Sequence, residues 1–194
     1  TQGEVLVDGV NVKDYDIEAL RNKVGIVMQK AVLFKGTIRE NMWMGKKGAT
    51  DEQIDEALEI SQSKEFVDSK QGRLDYVIEQ GGKNLSGGQR QRLTIARAIV
   101  RKPDVLILDD SASALDFATD AALRKAIRGM NNSPTVFIVS QRAASLMYAD
   151  LIIVLDDGQV AGMGTHDELL ANCEAYKEIY ESQFKKADSE GGVA

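Results

Sequence analysis

The chain has 194 residues, 43% of them hydrophobic and 28% charged, the composition of a globular domain with a sizeable core and not of a disordered chain. Its 30 acidic and 24 basic residues leave a net charge of -6, which argues against general nucleic-acid binding, since that needs a basic footprint. A nucleotide ligand is not excluded, because backbone N–H groups and helix ends can hold one.

In chain order, Gly3–Gly9 reads as a strand entering an Asp8-Gly9 turn, Ile17–Arg21 as a short helix and Val24–Met28 as a strand. Ile38–Met44 is a candidate helix. Thr50-Asp51-Glu52-Gln53 is a capping box, and the helix it opens carries Ile54, Ala57, Leu58 and Ile60 along one side. Gly72–Gly82 is loop-like. From Ser86 a helical pattern runs to Arg101, where Pro103 stops it.

Strands and helices then alternate. Val105–Leu108, Thr135–Val139, Leu151–Leu155 and Gln159–Met163 read as strands, and Phe117–Arg128 and Ala143–Tyr148 as helices. This alternation predicts an α/β fold with a mainly parallel sheet. Thr165-His166-Asp167-Glu168 is a second capping box, opening the final helices, and 187–194 is expected to be a disordered tail.

The single cysteine, Cys173, excludes a disulfide within the chain and favours a reducing setting, with Cys173 as a packing residue. The longest apolar run, Leu151–Leu155, is strand-sized and far below the roughly 18 residues that span a bilayer. The first residue is Thr1, not Met, and a strand follows almost at once, so the chain is read as a piece of a longer polypeptide lacking its N-terminal part.

Two stretches carry chemistry. Leu85-Ser86-Gly87-Gly88-Gln89 precedes a helix. Its glycines allow close backbone approach, its Ser and Gln side chains can donate or accept, and the helix start favours an anion such as phosphate. The plainer alternative is that Ser86 is an N-cap and the glycines a turn. The second stretch is Val105-Leu106-Ile107-Leu108-Asp109-Asp110, which sets a carboxylate at the end of an apolar strand. There Asp109 would suit Mg²⁺ beside phosphate oxygens, or would merely begin a loop.

The run Asn84–Arg92 resembles the signature motif of ATP-binding cassette (ABC) ATPases. Gly25–Gln29 resembles the family's Q-loop, Glu79-Gln80-Gly81-Gly82 the X-loop of exporters, and Ser113-Ala114-Leu115-Asp116 the D-loop. Order and spacing of four motifs along about residues 1–185 make the resemblance specific. It implies a P-loop NTPase (RecA-like) core at 1–30 and 103–165, N-terminally truncated. An inserted α-helical subdomain would span 31–102 and C-terminal helices 166–186. ATP and Mg²⁺ are the implied cofactors.

By the same resemblance, two such domains face each other head to tail. Ser86, Gly87, Gly88, Gln89 and Asp116 would then serve ATP held by the partner. Asp109 takes the Walker B place on Mg²⁺, and Gln29 contacts Mg²⁺ and the attacking water. Val32–Asn41 and Glu79-Gln80 would meet the transmembrane domains of an exporter, at the cytoplasmic face of a membrane. No nucleic-acid partner is expected.

Two departures qualify this picture. Asp110 stands where the family usually has the catalytic Glu, and its stem is one methylene shorter. A misplacement of ~1 Å can cost ~100-fold in rate. Gln141 stands where the family has a γ-phosphate-contacting His; it can hydrogen-bond phosphate but cannot become a cation. The only histidine, His166, lies in the second capping box and reads as a helix-start residue. Together these point to a degenerate site, the slow half of a heterodimer that lends an intact signature to a competent partner. No Gly-x-x-x-x-Gly-Lys-[Ser/Thr] occurs in these residues, so the fragment alone is expected to bind ATP weakly and to be inactive. The alternatives are a non-hydrolysing regulatory or structural module and a soluble ABC protein unconnected to transport.

Overall fold

Helix ends written into the sequence by capping residues set the frame of the molecule. The computed structural model describes the backbone of residues 3–190 and the side chains of residues 3–184. It divides into two compact units, Thr1–Val139 and Ser140–Ala194.

The first unit opens with an antiparallel pair, β1 (Leu6–Val7) and β2 (Val10–Asn11), turning at Asp8 and Gly9, both in the left-handed region. Asp16 then starts α1 (Ile17–Lys23) by accepting from the N–H groups of Glu18 and Ala19, and α1 runs into β3 (Val24–Val27).

The short strand β4 (Gly36–Thr37) leads into α2 (Ile38–Gly45), capped by a Thr37/Glu40 box. The expected Thr50/Gln53 box starts α3 (Asp51–Ile60), which buries Ile54, Ala57 and Leu58. α4 (Lys64–Asp68) follows. Within the stretch that reads as loop lies β5 (Val77–Ile78), paired antiparallel with β4.

α5 (Gly87–Ile99) packs against α2, α3 and β3, so its buried Leu93, Ile95 and Ile99 join the helices to the sheet. It ends two residues before the Arg101 expected from the sequence. Pro103 disfavours the right-handed helical region at the residue before it; Lys102 lies outside that region, though at φ +54 and not in the extended region.

β6 (Val105–Asp109) pairs in parallel with β3 on one side and on the other with β7 (Thr135–Val139), which follows α6 (Phe117–Arg128). Side chains alternate across this three-stranded parallel sheet as strand geometry requires. Val27, Leu106 and Leu108 enter the main core, whereas Ile26, Phe137 and Val139 on the other face are 54%, 56% and 56% exposed.

The second unit contains α7 (Ala143–Leu146), a hairpin of β8 (Ile152–Asp156) and β9 (Gln159–Gly164) turning at Asp157-Gly158, α8 (His166–Asn172) and α9 (Glu174–Glu190). The expected Thr165/Glu168 box caps α8, and His166 is its first residue. His166 Nδ1 lies 2.8 Å from the Tyr176 hydroxyl. Cys173 is buried with Ile152, Val154, Leu169 and Tyr176 in a small separate core. α9 runs through Glu190, into the stretch read as a tail; residues 191–194 lie outside the described residues. Among the described residues no helix is long and apolar enough to cross a membrane.

Candidate functional site

Because β3 and β6 run parallel side by side, their carboxyl ends open on the same edge of the sheet, where open α/β sheets place ligands. Asp109 is the last residue of β6, half-buried. Asp110 turns the chain away at φ +42, a conformation that Asp tolerates better than most residues. Its N–H donates to the Val139 carbonyl at 2.8 Å, and its own carbonyl accepts from the Ser113 hydroxyl at 2.8 Å.

Two residues beyond β3, Gln29 reaches across this edge. Its Nε2 donates to Asp110 Oδ2 at 3.1 Å, although the residues are 81 apart in sequence. With its amide nitrogen engaged on Asp110, Gln29 has a carbonyl oxygen left as a hard donor beside two carboxylates. Mg²⁺ selects such oxygen ligands and usually keeps waters and phosphate oxygens for the rest of its shell. No group of three or more His, Cys, Asp or Glu suited to caging a metal exists among the described residues. The donors therefore fit a metal shared with phosphates and not one held by protein alone.

The Leu85–Gln89 loop is built differently. Ser86 is the N-cap of α5: its Oγ accepts from Gln89 N–H at 3.2 Å, while Gln89 Oε1 accepts from Ser86 N–H at 3.1 Å. The N-cap alternative raised by the sequence is thus realised, with Ser86 and Gly87 remaining exposed at a helix start whose first N–H groups have no intrahelical acceptors. A Cβ on Gly88 would sit 3.3 Å from the Ala114 carbonyl, so this glycine lets α5 press against the Ser113–Asp116 loop.

Arg90 braces the loop from behind, donating to the carbonyls of Leu85 at 2.7 Å and Gly82 at 3.4 Å. Gly82, at φ +72, leaves room for it; a Cβ there would meet Arg90 Cδ at 2.7 Å. Asn84 accepts from Glu79 N–H at 3.0 Å and donates to the Val77 carbonyl at 2.9 Å and the Tyr76 hydroxyl at 3.1 Å.

Asp116 caps α6. Its Oδ1 accepts from Thr119 N–H and its Oδ2 from the Thr119 hydroxyl, both at 2.8 Å. The Thr119 amide, with the hydroxyl adding to it, holds the Asp116 carboxyl below its ordinary range. Its carboxylate is committed to the turn.

The two stretches assigned to a membrane-domain interface come together through β4 and β5, where Gly36 faces Ile78 and Thr37 faces Val77. Asn41 is 1% exposed and pins the loop, accepting from Phe34 N–H and donating to the carbonyls of Phe34 and Thr37, each at 3.0 Å. Leu33 is buried, whereas Phe34 is half exposed with the Arg97 guanidinium 5.7 Å from its ring centroid. Glu79 and Gln80 are exposed. Gln141 belongs to the second unit, where its side chain is exposed and its carbonyl accepts from Gln183 Nε2 at 2.6 Å.

The sequence reading did not single out Asn41, Arg90 or Gln183, and it took Asn84 only as part of a motif. None carries a local signal, because each acts through side-chain bonds to backbone whose position is set by folding.

A parallel sheet with carboxylates at its edge and a capped glycine loop before a buried helix define an α/β nucleotide-binding domain. A family model described as ABC transporter matches residues 1–113, and the chain belongs to that family. It is 44% identical over 97% of its length to an uncharacterized ABC transporter ATP-binding protein of Bacillus subtilis, covering 32% of that protein. It is 38% identical over 94% of its length to a putative multidrug export ATP-binding/permease protein of Staphylococcus aureus, again 32% of that protein. Among solved structures, a bacterial Atm1-family ABC exporter with ATP bound matches 94% of this chain and 32% of its own, with a TM-score of 0.89 and 32% identity. The chain thus spans about a third of the length of these relatives, and it is an α/β nucleotide-binding domain of the ABC type.

Proposed function

We propose that this domain powers an ABC exporter as the degenerate half of a heterodimer. It lends Ser86, Gly87, Gly88 and Gln89 to ATP held by a second, head-to-tail domain, with the loop fixed by Asp116 alongside. Its own ATP and Mg²⁺ engage Asp109 and Gln29, with Asp110 and Gln141 in the catalytic places, and turn over slowly.

The observation that carries this reading is the junction of Gln29, Asp109 and Asp110 at one sheet edge, joined by the Gln29–Asp110 hydrogen bond. The shorter carboxylate at 110 has one of its oxygens, Oδ2, engaged by Gln29 at 3.1 Å. General-base efficiency depends first on such reach.

On this reading residues 1–30 and 103–165 form the core, 31–102 the helical subdomain and 166–186 the closing helices. Val32–Asn41 and Glu79-Gln80 meet the membrane domains at the cytoplasmic face, and the bond pairs that pin Asn41 and Asn84 support a rigid contact there. These 194 residues, containing no Gly-x-x-x-x-Gly-Lys-[Ser/Thr], hydrolyse no ATP alone.

The test is the paired change Asp110→Glu and Gln141→His in the full-length exporter assembled with its partner. Total ATP hydrolysis should rise, because a second competent site is added. An unchanged rate, or rapid hydrolysis by the unaltered chain as a homodimer, would overturn the degenerate reading.

A further inference from the structure

The segment Ser140–Ala143 carries Gln141 but is not held in place by its own neighbours alone. Arg142, the N-cap of α7, makes no side-chain capping bond. The helix-start N–H of Ala143, a group that lacks an intrahelical acceptor, is instead taken by Gln183 Oε1 at 2.9 Å, from 40 residues away on α9. The same amide donates its Nε2 to the Gln141 carbonyl at 2.6 Å. One side-chain amide thus bonds the backbone on both sides of Arg142, as a neighbouring strand would. The orientation is unambiguous, since a carbonyl needs the amide nitrogen and an N–H needs the amide oxygen. From the near side, the Ser140 hydroxyl accepts from Arg142 N–H at 3.0 Å.

The anchor for this clamp is built into α9. Tyr176, Tyr180 and Gln183 recur at helical spacing, so they share a face. Tyr176 is buried, His166 lies against both tyrosine rings, and Tyr180 stacks on Phe184 at 4.3 Å. The aromatic packing fixes the rotation of α9 about its axis and so aims Gln183 at the loop.

We infer that Gln183 is a positioning residue for Gln141, so that the last helix of the domain sets how its γ-phosphate-facing loop meets ATP. This rests on the proposed role of Gln141. ADP has no γ-phosphate, so the clamp distinguishes ATP from ADP and leaves ADP binding untouched.

The test uses the full-length exporter assembled with its partner, and the variants Gln183→Met, Gln141→Ala and both together. Met matches Gln in length but makes neither amide bond. Competition of ATP and of ADP against photolabelling of this chain by azido-ATP gives the two affinities, and hydrogen exchange reports the amides of residues 141–144. Gln183→Met should speed exchange at Ala143 while exchange in the centre of α5 stays unchanged. It should weaken ATP by roughly three- to tenfold, the worth of one or two hydrogen bonds, with ADP unchanged. The double variant should be no weaker than Gln141→Ala.

Unchanged exchange would overturn the clamp. Loss of ATP and ADP binding together, or effects that multiply in the double variant, would overturn positioning. A silent Gln141→Ala would overturn the role of Gln141 itself, and positioning with it, while exchange still reported the clamp.

Discussion

Gln29 donates its side-chain amide to the Asp110 carboxylate at 3.1 Å across the ends of two parallel strands. The bond occupies the amide nitrogen of Gln29 and one carboxylate oxygen of Asp110, and it leaves the Gln29 amide oxygen out of the pair. Asp110→Asn preserves an acceptor for Gln29 and a residue type tolerant of φ +42. It should leave stability within about 0.5 kcal/mol, as at other sites without a lost packing or hydrogen-bond partner. On the proposed degenerate reading it should also change hydrolysis by the assembled exporter little, because a poorly placed base would have little to lose. A steep fall in rate would mean that Asp110 already works as a base.

Gly88→Ala places a methyl group 3.3 Å from the Ala114 carbonyl, a backbone atom that can yield only if the 113–116 loop shifts. Overpacking of this kind costs about 1–3 kcal/mol. Urea unfolding should show that loss. ATP hydrolysis by the partner's site should fall with it, since two of the loops proposed to face that ATP are displaced together.

Asn84→Ala removes an acceptor for Glu79 N–H and a donor to the Val77 carbonyl. The cost should be about 0.5–1.5 kcal/mol by denaturation, the net worth of a hydrogen bond whose freed backbone groups can reach water. Hydrogen exchange at Glu79 should quicken while exchange in the centre of α5 does not.

The acid limb of stability should depend on the helix caps. Asp116 is held below its ordinary range chiefly by the Thr119 amide, and Glu168 chiefly by the Thr165 amide. A depressed folded pKa contributes stability that is fully present above the ordinary carboxylate range and is lost as pH falls through the folded value. Asn caps as well as Asp but carries no charge. Asp116→Asn should therefore flatten the fall of the urea midpoint between about pH 5 and pH 2, and an unaltered slope would show that the cap does not titrate with folding.

The bare face of the parallel sheet gives opposite expectations in two settings. Phe137 is 56% exposed here, so Phe137→Thr in the isolated 194 residues should cost under about 0.5 kcal/mol and reduce binding of an apolar dye. Parallel sheets are covered on both faces. In the full-length exporter the same change should destabilise, and equal effects in both settings would show that the face stays open.

Much of this molecule was legible locally. The Thr50, Ser86 and Thr165 caps sit where the sequence puts them, and the alternation from Val105 to Val139 forms parallel strands around α6. Each of these features is decided within a few residues, by a hydroxyl reaching an N–H three positions on or by apolar spacing. The strand hidden in Gly72–Gly82 is not legible there, for the opposite reason. Val77 and Ile78 are a strand only because β4 lies beside them.

The sequence by itself determined the family, the helix starts and the identities of Asp110 and Gln141, because short-range capping, period and motif order survive without a fold. Only the tertiary structure decided that Gln29 engages Asp110, that Gly88 abuts Ala114, that Asn84 ties down Glu79 and that Gln183 grips the Gln141 loop. A side-chain amide can donate to or accept from almost any polar group. Its partner is chosen by which backbone the packing of distant segments brings within 3 Å or so.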